Sequence, residues 1–288
     1  MGVPRNERDD RLLAPTLWTA VLIVPVLVAA FVILYFFPAH TRQLWAWTIK
    51  GTMTPMMMGG GYLSGAFFFT RVATVRRWHT VWPGFVATTV FTSFLLGATL
   101  LHWDKFNHGH ISFWAWLSLY VVTPPLLPLL WFNNRRTDPG ATAADVRLDR
   151  RLRRLVAAGG GALALFAIVM FVRPSVVMAH WPWTLTPLTA RTVSAFIAFP
   201  AVSCTCALVE DRWSSLRIPI ETVTLGLVLV GIAAIRGHRE LNSPAPAVPL
   251  FVTSLVATIL LLVALQVVMD RKAGGDLSLR PAAGPAIE

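Results

Sequence analysis

The sequence predicts an all-α integral membrane protein whose eight transmembrane helices form two parallel four-helix repeats, related by a pseudo-twofold axis along the membrane normal. Composition is the first reason. Of the 288 residues, 55% are hydrophobic and 14% charged, and the mean hydropathy is +0.61, too apolar for a soluble domain of ordinary make-up. The second reason is eight apolar runs, at residues 15–37, 51–70, 81–102, 111–132, 155–172, 188–208, 217–235 and 250–269. Each is long enough to cross roughly 30 Å of hydrocarbon as a helix, and a helix satisfies its own backbone groups in lipid. The third reason is internal similarity. Trp45-Ala46-Trp47-Thr48-Ile49 returns 136 residues later as Trp181-Pro182-Trp183-Thr184-Leu185. The same offset carries Pro38 onto Pro174, His102 onto His238 and Asp104 onto Glu240, while Arg77-Trp78 and Arg212-Trp213 match at 135. A repeat of four spans has even parity, so both copies enter the membrane in the same direction.

Charge sets the orientation. The net charge is +11, and with the N-terminus inside, 18 of the 25 Lys and Arg fall on inner segments. That asymmetry follows the positive-inside rule, so the basicity is topological and attracts anionic headgroups on the cytoplasmic side; it does not point to nucleic acid. Both termini are then cytoplasmic. The expected organisation is a cytoplasmic segment 1–14, a first repeat 15–132, a basic linker 133–154, a second repeat 155–269 and a cytoplasmic tail 270–288.

Along the chain, the first span reads as a retained anchor, kinked at Pro25, because no small-residue cleavage site follows it. Trp45, Trp47 and Thr48, like Trp181, Trp183 and Thr184, fall on outer segments, where tryptophan favours the headgroup layer. The second span carries Met56-Met57-Met58 and Gly59-Gly60-Gly61, a pattern for close helix packing with flexible gap fillers. Thr88, Thr92 and Thr99 share one face of the third span, the wall of a passage or a set of ties between helices. Pro124, Pro125 and Pro128 predict a fourth span broken or bent in its inner half. Asp138-Pro139-Gly140 reads as a turn, and a basic helix is expected from about Ala143 into the fifth span. Cys204 and Cys206 point to different helix faces, so no disulfide is expected between them. The tail from Arg271 is expected to be disordered.

The outer face holds the candidate chemistry. Six of the seven histidines lie there, with Asp104 and Glu240 as its acidic residues. His102 with Asp104 and His238 with Glu240 form matching His-x-acid pairs that could together ligate zinc or another divalent ion, with His108 and His110 in reserve. Water on such an ion would be a nucleophile. Axial haem ligation fits less well, because these histidines sit at helix ends. Lys50 and Arg191, at the outer ends of the second and sixth spans, could attract an anion. No Walker loop, dinucleotide fingerprint, nucleophile elbow or zincin helix is present. The duplication, the threonine stripe and the prolines point first to a small-solute transporter or permease with a passage between the repeats. A membrane enzyme with an extracytoplasmic His/carboxylate site is the second reading, and a structural or assembly subunit the third.

Overall fold

The computed structural model describes residues 8–142, 145–241 and 246–274. It is all helical: α1 Ala14–Phe36, α2 Thr41–Leu44, α3 Met53–Val75, α4 Trp82–Leu101, α5 Ile111–Asn134, α6 Arg150–Val172, α7 Pro174–Met178, α8 Pro187–Thr205, α9 Trp213–Arg236 and α10 Ala247–Lys272. Among the described residues, seven helices are long and apolar enough to cross a membrane: α1, α4, α5, α6, α8 extended to Leu208, α9 and α10. The chain is therefore built as a multi-pass membrane protein.

The remaining long helix, α3, matches the others in length at 23 residues but is not among the seven apolar enough. Its position explains why. Thr54, Gly59, Gly60, Tyr62 and Ser64 are buried in it, and a helix enclosed by protein has no need of a fully apolar surface. Three successive glycines meet three different neighbours: a Cβ at Gly59 would lie 3.0 Å from Tyr35, one at Gly60 2.9 Å from Leu229, and one at Gly61 2.3 Å from Phe196. Steps of about 100° per residue turn them towards α1, α9 and α8 in succession. The opposite case is α10, in which only Leu255 and Met269 are buried.

Within the first half α1 packs on α3 and α4 on α5; within the second α6 packs on α8 and α9 on α10. Across the halves α4 packs on α8 and α3 on α9, with further contacts of α3 with α8 and α4 with α9. Helices α3, α4, α8 and α9 thus form the inside of the bundle. At the end where α1 begins, extended residues pair across the chain. Arg11 bridges antiparallel to Arg77, and Arg147 to Arg212.

Several sequence expectations change. Helix α5 is not broken, because it runs continuously through Pro124, Pro125 and Pro128; proline keeps a helical φ and forfeits one bond each, whereas an open chain in lipid would forfeit many. Helix α6 starts at Arg150 and not near Ala143, because Asp149 caps it by accepting from Arg151 N and Leu152 N. Ala143 itself, and the tail beyond Gly274, lie outside the described residues. The turn at Asp138 is present: Gly140 N donates to Asp138 Oδ1 at 2.8 Å with Gly140 at φ +79°.

Candidate functional site

At the end opposite the termini, Trp45, Trp47 and Trp183 of the repeated motif are core residues. Trp45, Trp47 and Trp183 are 7%, 2% and 3% exposed, because their rings pack with neighbouring aromatics: Trp47 lies 4.9 Å from Trp116 and Trp183 5.4 Å from Phe251. Thr48 and Thr184 are exposed. Trp183 Nε1 donates to Thr54 Oγ1 at 2.8 Å. The indole N–H groups of Trp45, Trp47 and Trp181 are buried and have no acceptor among the described residues.

The expected outer ligands each have a different local partner. Glu240 reaches into the other half and caps α3, its Oε1 accepting from Thr52 N at 2.6 Å and Thr52 Oγ1 at 2.7 Å, and its Oε2 from Met53 N at 3.1 Å. Burial would raise its pKa, but these hydrogen bonds outweigh burial and hold the carboxyl below its usual value. Asp104 is exposed and pairs with Lys105 at 2.6 Å. His102 Nε2 lies 2.7 Å from Arg191 Nη1. An arginine can only donate, so His102 Nε2 accepts and its free proton sits on Nδ1. Burial first, and Arg191 second, hold His102 below the usual histidine range. His238 Nδ1 contacts Ile235 O at 3.1 Å, His110 Nδ1 accepts from Ser112 N at 3.2 Å, and the His108 ring lies 4.7 Å from Phe113. Among the described residues no three His, Cys, Asp or Glu are grouped to hold a metal ion. The four-residue site drawn from His102, Asp104, His238 and Glu240 is not assembled: these are helix caps and loop ties. Lys50 is exposed.

The middle of the bundle holds a cavity of about 460 Å³, lined from α1, α3, α4, α5, α6, α8, α9 and α10 and by Trp181 and Trp183. Among the described residues, no charged residue lines it. Of the threonine stripe, Thr88 and Thr92 line this cavity and donate to their own helix, to Gly84 O at 2.7 Å and Thr89 O at 3.1 Å. Thr99 is instead a tie, accepting from Trp116 Nε1 at 2.9 Å. The cavity also contains a feature that sequence reasoning missed: Tyr62 Oη and Tyr120 Oη lie 2.8 Å apart. Both tyrosines are buried, at 3% and 1% exposed. Each lies about nine residues, roughly 14 Å, inside its helix. The available signal was the presence of two of the chain's three tyrosines mid-span in separate runs.

At the termini end, polar groups are joined across the halves. His79 Nε2 lies 3.1 Å from Ser214 Oγ, and Asp10 accepts from His79 N at 2.9 Å while its other oxygen holds His79 Nδ1. The order Asp, His, Ser is that of an acyl-transfer triad, yet His79 and Ser214 are 8% and 7% exposed, so the row is a tie between halves. Beside it Arg212 forks onto Asp138 at 2.9 and 3.0 Å and onto Glu210 at 2.9 and 2.6 Å. Burial opposes ionisation of all three, but the mutual hydrogen bonds outweigh it, lowering the pKa of Asp138 and Glu210 and raising that of Arg212. The signal for the tie was His79, the one histidine expected on the inner side.

No protein-family model, characterised protein or solved structure matches the chain, so the reading of its site rests on its own residues.

Proposed function

We propose that the protein is a permease for an uncharged lipophilic solute, held in a passage between two four-helix halves. The carrying observation is the cavity of about 460 Å³, to which all the long helices contribute and, among the described residues, no charged one does. A site without charged side chains favours neutral, apolar solutes. Ser254 and Thr258 of α10 line it and are exposed, which supports access from the hydrocarbon alongside that helix. This narrows the small-solute reading and leaves the extracytoplasmic enzyme reading without an assembled group.

The reading takes α3 as an eighth span and the halves as parallel repeats about a pseudo-twofold axis. Each packing pair has a counterpart in support: α1 on α3 with α6 on α8, α4 on α5 with α9 on α10, and α4 on α8 with α9 on α3. The bridges Arg11–Arg77 and Arg147–Arg212 fall at the offsets of the sequence repeat. His79 and Ser214, which touch, are 135 residues apart, as expected of mates meeting at the axis. The excess of Lys and Arg at the termini end supports both termini being cytoplasmic. There Arg150, Arg153 and Arg154 line a cleft of about 170 Å³ suited to anionic headgroups.

The test is flux in proteoliposomes of a panel of uncharged lipophilic dyes and their charged analogues. The protein should accelerate transfer of uncharged members only, and a cavity-filling Thr92→Trp should abolish the acceleration while leaving the protein folded. No protein-dependent transfer of any uncharged member would reject the reading.

A further inference from the structure

Resting on the cavity reading, we propose that the solute is a planar aromatic carbonyl compound of the quinone type, whose oxygen accepts a hydrogen bond from the Tyr62–Tyr120 pair. Two phenols carry two hydroxyl hydrogens, and the single bond between them, 2.8 Å long, uses one. Neither hydroxyl has another partner among the described residues, so one O–H remains as a donor in an otherwise apolar chamber. Neighbouring hydroxyls do not compete for that role. Thr88, Thr92, Thr123 and Ser64 donate to carbonyls of their own helices, as hydroxyls within helices do.

A second donor lines the same cavity: Trp181, whose buried Nε1–H has no acceptor in the described chain. Buried donors are almost always partnered, so a cavity with donors left over selects a molecule that brings acceptors. A charged acceptor is disfavoured, since no cation lines the wall to compensate its desolvation. A neutral carbonyl meets both conditions.

The walls add the planar shape. Phe196 stands edge-on to Tyr62, with centroids 5.7 Å apart at 89°, and Phe91 packs on Phe196 at 4.9 Å and on Tyr120 at 6.4 Å. Aromatic edges and faces held in such T-shaped contacts favour a flat π-system among them over a branched aliphatic chain. Ring and carbonyl together describe a quinone.

The test compares two probes of one shape with the protein in lipid nanodiscs: naphthoquinone with both quinone-ring carbons methylated, which removes its thiol reactivity, and dimethylnaphthalene, the hydrocarbon lacking the oxygens. Binding is measured as ligand-dependent thermal stabilisation corrected for partition into empty nanodiscs. The quinone should bind roughly tenfold more tightly than the hydrocarbon, the effect of one or two hydrogen bonds to buried donors. In a Tyr62→Phe/Tyr120→Phe double variant that preference should fall towards unity, with hydrocarbon affinity kept, which also shows that the variant retains its cavity. Equal binding of both probes to the parent would overturn the carbonyl assignment and leave the apolar cavity reading standing. No binding of either would overturn both, and an undiminished quinone preference in the double variant would remove the tyrosines from the assignment.

Discussion

Three adjacent glycines in α6 offer a test of the packing in which composition is held constant and only direction changes. A Cβ built at Gly160 would lie 2.7 Å from Cys204 Cβ, 2.8 Å from Ala201 O and 2.9 Å from Thr205 N, while Gly159 and Gly161 have nothing within 4 Å. Two of the three obstacles at Gly160 are backbone of α8, which no rotamer change can move aside. Gly160→Ala should therefore destabilise by about 1–3 kcal/mol, the usual cost of overpacking. Gly159→Ala and Gly161→Ala meet only open space and should stabilise by up to roughly 1 kcal/mol through lower backbone entropy in the unfolded chain. The expected spread between neighbours is thus about 1–4 kcal/mol. Reversible unfolding in mixed micelles, titrated with a denaturing detergent, would measure it. If all three alanine variants shift the midpoint alike, α6 does not face α8 through Gly160 and the packing described here is wrong. Gly61→Ala makes a useful contrast, because its obstacle at 2.3 Å is the edge of Phe196, a side chain that lines the cavity. That ring can turn, so the substitution should cost less stability and alter solute binding more.

The remaining predictions concern polar ties. Glu240, with its folded pKa held below the usual carboxylate value of 4.5, contributes stability that is present above that value and lost as pH falls through the folded pKa; Glu240→Gln should flatten stability against pH in this acid range, and an unchanged slope would dismiss the cap. Arg212→Leu should destabilise by about 3–5 kcal/mol because Glu210 is left buried and unpaired, and adding Glu210→Leu should recover part of the loss, measured by the same detergent titration. Ser214→Ala should cost about 1 kcal/mol for one lost hydrogen bond. The parent should gain no mass on exposure to a fluorophosphonate, and modification mapped to Ser214 would mean that the Asp10–His79–Ser214 row is a working triad.

The helices were legible because each is a local property: seven apolar runs correspond to helices apolar enough to span a membrane, and the Asp138 turn follows from its own three residues. Depth of burial was not legible. Trp45 and Trp47 belong to a residue type that favours headgroups, and only the packing of Trp116 and Phe106 against them makes them core. The candidate site failed for a related reason. Residue type and equal spacing suggested that His102, Asp104, His238 and Glu240 converge, but spacing along a chain says nothing about which helix end lies beside which. Glu240 found its donors 188 residues away at Thr52, and Tyr62 found Tyr120 across 58 residues. Such pairings are set by tertiary packing, and no periodicity within one run encodes them.

Under the proposed duplication, mates have taken unequal roles, and the inequality lies mainly at the end away from the termini. The start of α3 depends on Glu240 from the other half, whereas α8 caps itself through Thr186 and Thr189, and Asp104, the mate of Glu240, is exposed beside Lys105. Trp183 is tied to Thr54, while the indole of Trp47 has no acceptor. Glu240 and Trp183 thus both fasten on the start of α3. Helix α3 packs against α1, α8 and α9 and is held at its start by the opposite half. Tyr62 and Gly61 on α3 both line the cavity, so under the proposed permease reading a shift of α3 would reshape the solute site and strain its ties to Glu240 and Trp183. Among the outer residues that looked like metal ligands, Glu240 fastens on α3, the helix that carries Tyr62.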